Sequence, residues 1–482
     1  MREYDKLFIG GKWVAPSGPD TIKVFSPATL EQVGSVPEAV EADVDAAVAV
    51  AREAMDHGPW PRTAPTERAA VIAKFLEIVN ARQPEMGGVL TDSMGGPTQT
   101  VLTMQHLPAT MAIGYYVGLA ETYPWEEAKV GLFGAGRVHR EPVGVVAAVI
   151  PWNVPFFIAC NKLAPALIAG CPVILKPAPE TPLDANLLAE WLTEAGLPEG
   201  VLSVLPAGRE VSEYLITHPG VDKVTFTGST AAGRRVGMLA TERLKRVSLE
   251  LGGKSAAIVL DDVDLAAAIP MLTFSGLMNT GQACVAQSRI LAPRSRYDEV
   301  TDAVVAAAAM FKVGDPLDPE TQLGPLVAER QRDRVEGYIA KGVGEGARLV
   351  LGGGRPAGLD KGWYVESTVF ADVDNKMTIA QEEIFGPVLS IIPYDTEEEA
   401  IAIANDSDFG LAGSVWTSDV SHGLDVARQV RTGTYGINWY AFDMSSPFGG
   451  YKASGIGRED GIEGLNAFTE IKSILMPLGW SG

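Results

Sequence analysis

Short β-branched runs alternate with Ala-rich helical patterns over most of this chain, and that rhythm limits what it can fold into. Strands are expected at 144–150, 172–176, 201–205, 223–227 and 247–249, with helices at 161–169, 181–196, 211–217 and 231–241 between them. A helix between every two strands is the pattern of a largely parallel sheet covered on both faces, so the fold class is α/β. A second α/β region follows Gly252-Gly253, with a helix at 264–277, a strand at 289–291 and a long helix at 297–310. Two segments stand outside the rhythm, a Gly-rich β-like stretch at 124–140 and an extended run at 467–478. Such strands are expected to pair across subunits, because an unpaired edge is a liability.

At 482 residues the chain exceeds one ordinary core, and two or three domains are expected. Lys+Arg 39 against Asp+Glu 60 gives a formal charge of −21, which repels phosphate backbones and anionic lipid. Nucleic-acid and membrane-surface roles are therefore excluded. The first residues carry charges rather than a signal-peptide core, and the apolar run at 163–175 is bracketed by Lys162 and Lys176, too short for a membrane span. Three cysteines, an odd number, argue against a disulfide framework and for a soluble protein of a reducing cytoplasm.

Of those cysteines, Cys284 alone sits in a small polar segment, Asn279-Thr280-Gly281-Gln282-Ala283-Cys284. Thirty-four positions earlier comes Glu250-Leu251-Gly252-Gly253-Lys254-Ser255, an acid followed at once by Leu251 and two glycines. A thiol and a carboxylate on backbone that can approach a ligand closely are the parts of covalent catalysis with a general base. Cys160 and Cys171 lie in apolar surroundings and read as core. The five histidines show no metal-ligand spacing and stand near none of these motifs, so no metal is expected and a Cys-His hydrolase is poorly supported.

Four further stretches bear on ligands. Phe226-Thr227-Gly228-Ser229-Thr230 joins a strand to a helix, either to turn amides toward a phosphate or as an ordinary turn. Pro151-Trp152-Asn153-Val154-Pro155 follows a buried strand, and Asn153 is either an oxyanion donor or a turn residue. Lys176, at the end of the next strand, either reaches a ribose hydroxyl or phosphate or is solvated. In Glu383-Ile384-Phe385-Gly386-Pro387 the acid suits a sugar's two hydroxyls and Phe385 a flat ring, unless the segment only begins a loop.

Together these stretches resemble the aldehyde dehydrogenase superfamily over essentially the whole chain. The strings are PWN at 151–153, FTGSTxxG at 226–233, ELGGKS at 250–255, GQxC at 281–284, EEIFGPV at 382–388 and PFGGYKxSGIGRE at 447–459. The resemblance implies a Rossmann-like coenzyme domain (1–121 and 143–252), an α/β catalytic domain (253–455) and a small β oligomerisation arm (122–142 and 456–482) that pairs subunits into homodimers or homotetramers. It implies Cys284 as nucleophile, Glu250 as general base, Asn153 as oxyanion donor with the Cys284 amide, and Lys162 as an active-site lysine. The cofactor is implied to lie against Ile150, Pro151, Trp152, Lys176, Glu180, Gly208, Gly228, Ser229, Leu251, Gly252, Glu383 and Phe385.

Many NAD-using members carry an acid three positions after the lysine that ends that strand. Here Pro179 stands there and the acid is Glu180. Glu180 in reach of the adenosine ribose favours NAD, and a relaxed site would also accept NADP. The positions implied to line the aldehyde tunnel are Val154, Ile158, Asn161, Ala283, Val285, Trp439, Phe442 and Phe448; most are apolar and none is cationic. That lining suits an uncharged hydrophobic aldehyde, with Asp443 the loop residue able to change the reading by pointing inward. A CoA-acylating dehydrogenase shares the fold, but Glu250 argues against it. A cofactor-independent thiol hydrolase would need another base, and a non-catalytic protein would have no need to keep both Cys284 and Glu250.

Overall fold

Five runs that need no polar face make the first sheet: Arg246–Glu250, Lys223–Thr227, Val146–Val149, Val173–Lys176 and Leu202–Val204, side by side and parallel. Val146–Val149, Val173–Lys176 and Leu202–Val204 are buried throughout, as parallel strands covered on both faces must be. Antiparallel strands close both edges, Gly455–Ile456 beside Arg246–Glu250 and the hairpin Leu7–Ile9/Lys12–Val14 beside Leu202–Val204. The computed structural model describes residues 1–132 and 134–477.

The second sheet runs in the order Arg348–Leu351, Thr368–Ala371, Val388–Tyr394, Arg289–Pro293, Ala256–Val259, Gly413–Trp416, Gly436–Ile437. All its neighbours are parallel except the first pair. Separate apolar clusters cover the two sheets. A third sheet, Arg2–Glu3, Gln32–Pro37 and Thr21–Phe25, lies in an N-terminal stretch for which the pattern gave no strand.

The two segments outside the rhythm find each other. The expected 124–140 stretch is a hairpin, Glu126–Gly131 and Gly134–Pro142, and Thr469–Leu475 adds antiparallel to its second strand. The C-terminal run therefore pairs within its own chain, which corrects the expectation that it needs another subunit for a partner. Leu478, the end of the expected run, lies outside the described residues. The sheet still offers apolar surface, with Val130, Leu132 and Leu475 almost fully exposed.

One helix boundary differs in a way that matters. The helix expected at 161–169 begins at Pro155 and runs to Ala169. Proline at the first helical position presets φ and lacks only an N–H that would be unpaired anyway. All fifteen residues are buried, so 155–160 shows no amphipathic period from which a start could be read. The earlier start puts Ile158, Asn161 and Lys162 on one rigid element. No described helix is long and apolar enough to cross a membrane.

Candidate active site

Along the first sheet the chain steps from Val146–Val149 out to Leu202–Val204, then resumes on the other side of Val146–Val149 with Lys223–Thr227. Where strand order reverses, the connections diverge and leave a crevice beyond the carboxyl ends. Pro151, Trp152 and Asn153 follow one of the two strands at that point, and Gly228 and Ser229 follow the other. Glu250 ends the next strand, in register with Thr227.

Cys284 reaches this crevice from the second sheet's side on a turn of unusual backbone. Asn279, Thr280 and Gly281 are consecutively left-handed (φ 52°, 57° and 70°). Such a turn persists only where its surroundings over-determine it, and functional sites collect it. Here a side-chain mesh does so. Asn279 Nδ2 donates to the carbonyls of Asn153 (3.0 Å) and Gln282 (3.1 Å), and Asn153 Nδ2 donates to the Gln282 carbonyl (2.8 Å). Gln282 Oε1 accepts from the Val327 amide, and Gln105 accepts from the Phe157 amide beneath Asn153. One N–H of Asn153 Nδ2 is thus committed, and an amide nitrogen has a second.

The two glycines after Glu250 are needed for contacts inside the protein. A Cβ on Gly253 would lie 2.3 Å from the Cys284 carbonyl oxygen, and one on Gly252 would lie 2.6 Å from a Glu383 carboxylate oxygen. Any side chain there would push the nucleophile's loop or the acid away. The Gly253 amide in turn donates to Glu383 (2.9 Å).

Burial, then the negative charges of Glu383 and Glu250, pushes the Cys284 thiol up to about 12. The resting sulfur is therefore a thiol rather than a thiolate. Glu250 is raised well above the usual carboxylate range, first by burial and then by repulsion from Glu459, with Lys162 and Arg458 opposing. Neither of its buried oxygens has a partner among the described residues. Lys162 stands behind this group, not in it: its Nζ pairs with Glu459 and donates to Thr225 Oγ1 (2.9 Å).

Two cavities meet at Cys284. The first is lined by Cys284, Asn153 and Glu250 together with Val154, Ile158, Asn161, Ala283, Val285, Phe442 and Phe448. It holds every expected tunnel position except Trp439, which stands in an adjoining outer cavity and is 59% exposed. Phe442, Phe448 and Asp460 line both spaces, so the two are neighbours. Asp443 also faces the outer cavity, its carboxylate held by Ser445 and Ser446 and lowered by those bonds. Met104, Phe157, Leu411, Glu459 and Asp460 line the inner cavity without having been anticipated. Met104 comes from a π-helical turn, Leu102–His106, that no periodicity announces.

The second cavity is lined by Cys284, Pro151, Trp152, Gly228, Ser229, Leu251, Gly252, Glu383 and Phe385. Trp152 and Phe385 stand edge to face, 5.4 Å apart, and Phe385 is left-handed (φ 65°). Burial raises Glu383, whose backbone carbonyl accepts from Arg334 (2.6 Å). Arg334, Gln331 and Thr227 line this space and were not anticipated. Ser229 caps the helix Thr230–Glu242, and the Gly228 amide is committed to the Glu250 carbonyl (3.0 Å). The turn's anion-facing amides are thus those of the helix start.

Lys176, Glu180, Gly208 and Ile150 are not part of this cavity's wall. Lys176 Nζ donates to the Ala207 carbonyl (3.3 Å), and burial brings its amine down to about 8. The Gly208 amide donates to Glu38 (3.1 Å), and Glu180 is ion-paired with Arg330. The Ile150 amide donates to the Lys176 carbonyl (3.1 Å), so it tethers the loop rather than facing a ligand.

Solved structures resemble this chain over nearly its whole length. A Mycobacterium tuberculosis aldehyde dehydrogenase complexed with NAD+ is 62% identical with a TM-score of 0.99, each chain covered in full. A mutant of aldehyde dehydrogenase C from Pseudomonas syringae, complexed with NAD+ and octanal, is 41% identical with a TM-score of 0.95, covering 98% of this chain and 96% of that one. Among curated proteins, geranial dehydrogenase of Castellaniella defragrans is 47% identical over 98% of this chain and 99% of its own length. The family model for the aldehyde dehydrogenase family matches residues 13–474, and to that family this chain belongs.

Proposed function

We propose that the chain oxidises an uncharged, hydrophobic aldehyde to the carboxylic acid with NAD as hydride acceptor. The observation that carries this reading is the meeting of two cavities at Cys284, one apolar with Glu250 in its wall and one flanked by a helix start and an acid. The second fits a dinucleotide: Glu383 has a buried carboxylate for ribose hydroxyls, and Trp152 and Phe385 give apolar walls. When bound there, NAD accepts a hydride from the carbon held on Cys284.

Attack joins the Cys284 sulfur to the carbonyl carbon as the S–H bond breaks and its proton passes to solvent water, and the carbonyl electrons move to oxygen. The second Asn153 amide N–H and the Cys284 backbone amide face that oxygen; losing one such donor costs about 10²–10³ in rate. Loss of hydride leaves a thioester on Cys284. Glu250 then takes a proton from water as its oxygen bonds to the acyl carbon. The C–S bond breaks, the acid departs, and the proton returns to sulfur. The sum is aldehyde, water and NAD to acid, NADH and a proton.

Lys176, Glu180 and Gly208 border the adenosine end, and Glu180, fixed by Arg330, disfavours a 2′-phosphate and so favours NAD over NADP. Lys162 acts from behind, through Glu459. The coenzyme domain comprises 1–121 and 143–252, the catalytic domain 253–455, and the arm 122–142 and 456–482. The enzyme works in the cytoplasm as a homodimer or homotetramer, assembled through the exposed apolar positions of the three-stranded sheet. The names geranial dehydrogenase and octanal among its relatives support a hydrophobic substrate.

Purified protein, NAD and octanal without CoA test the reading, with NADP in a parallel cell. Steady NADH formation that vanishes in Cys284→Ala is expected. NADH only after CoA is added would favour the acylating reading instead.

A further inference from the structure

Besides Cys284, Asn153 and Glu250, the mostly apolar inner cavity carries polar side chains where it borders the outer one. There Asp460, 1% exposed, lines the inner and outer cavities together. Its backbone is left-handed (φ 57°), a conformation an aspartate adopts only under constraint. It occupies the position that caps the helix Gly461–Asn466, yet its side chain makes no capping bond. Its Oδ1 is buried with no hydrogen-bond partner among the described residues. The Oδ1 of Asn161, which lines the inner cavity, is also buried and without a partner. The Asn161 amide nitrogen is turned toward Glu459 Oε2 (3.4 Å), which fixes the direction of its carbonyl oxygen. Two unsatisfied oxygens in an apolar wall are costly unless a ligand or water meets them.

We propose that Asp460 and Asn161 form a specificity-determining polar contact, selecting hydrophobic aldehydes that carry a hydroxyl group remote from the carbonyl. This rests on the dehydrogenase reading above and names its substrate class more closely. A hydroxyl both donates and accepts. It donates to Asn161 Oδ1, which is only an acceptor, and exchanges a hydrogen bond with the Asp460 carboxyl. Burial, and then repulsion from Glu459, raises that carboxyl to about 8, against the charge of Lys162. Near neutral pH it is mostly protonated and able to donate. A substrate carboxylate is disfavoured at the same corner, because Glu459, Glu250 and Asp443 surround it without a free cation in the cavity wall.

The test compares kcat/KM, read as NADH formation, for octanal and decanal and for their ω-hydroxy counterparts. Asp460→Gly suits φ 57° and removes the carboxyl, whereas Asp460→Asn keeps a side chain that donates and accepts. The hydroxylated-to-plain ratio is expected to fall about tenfold in Asp460→Gly at one or both chain lengths, the size of one good hydrogen bond, and to stay near wild type in Asp460→Asn. A ratio unchanged in Asp460→Gly at both lengths, or falling equally in both variants, overturns the proposal while leaving the dehydrogenase reading intact. No NADH from any of the four aldehydes overturns both.

Discussion

Replacing Glu250 by glutamine keeps the shape of the side chain and removes the group proposed to take a proton from water. The carboxyl lies in the wall of the Cys284 cavity, with both oxygens buried and no partner to be lost. The new amide buries two donors without acceptors, a cost of about 1–3 kcal/mol, which a 482-residue protein tolerates. Glu250 is also among the charges that raise the Cys284 thiol, after burial and Glu383. Its removal lowers that pKa, so the acylation half-reaction loses no thiolate. The hydrolytic half loses its base, worth about 10²–10⁴ in rate. In stopped flow with NAD and octanal, Glu250→Gln should give a burst approaching one NADH per Cys284. Steady turnover should then be lower by about that factor. Undiminished turnover would refute the general-base assignment. A missing burst in a protein that still unfolds at its normal temperature would instead place Glu250 at Cys284 deprotonation.

Because the working form of Glu250 is the ionised one and its folded pKa is raised, kcat should climb with pH on a limb well above the usual carboxylate range; a limb near the ordinary range in a kcat–pH profile counts against it. Gly449 has φ 150°, and a Cβ there would lie 2.8 Å from Glu250 Oε1 and 2.8 Å from the Gly457 carbonyl oxygen. Gly449→Ala should therefore depress kcat by at least about tenfold while sparing the NADH burst, since it displaces the base and not the nucleophile. Asp184 is fully buried, neither oxygen has a hydrogen-bond partner among the described residues, and burial raises it to about 7. Its folded pKa exceeds the unfolded one, so the native state is the better proton binder and stability falls as pH rises from about 4 through 7. Asp184→Asn should remove that slope, raising the melting temperature relative to wild type more at pH 8 than at pH 5; an equal change at both pH values would count against it.

What could be read from the residues followed from how locally each feature is determined. The strand at 223–227 matches its observed bounds, because a run between Asp222 and Gly228 with a nearly all-buried face needs no information from elsewhere. The helix begun at Pro155 was read six residues short, since a uniformly buried stretch carries no period. Thr469–Leu475 was legible as extended, yet its partner lies more than 300 residues away in sequence, and no periodicity encodes a register across that distance. The same division runs through the site. Glu250 and Asn153 stand out as polar side chains close to glycine or proline just at or after a strand's end, and Cys284 as a thiol in a small polar segment rather than an apolar run. Met104, Arg334 and Asp460 look ordinary where they stand, and only packing brings them to the cavity walls. The parts of the chemistry shared through short motifs are therefore visible before folding. The walls that choose among aldehydes are assembled by contacts between distant segments, and that is where substrate preference should be sought.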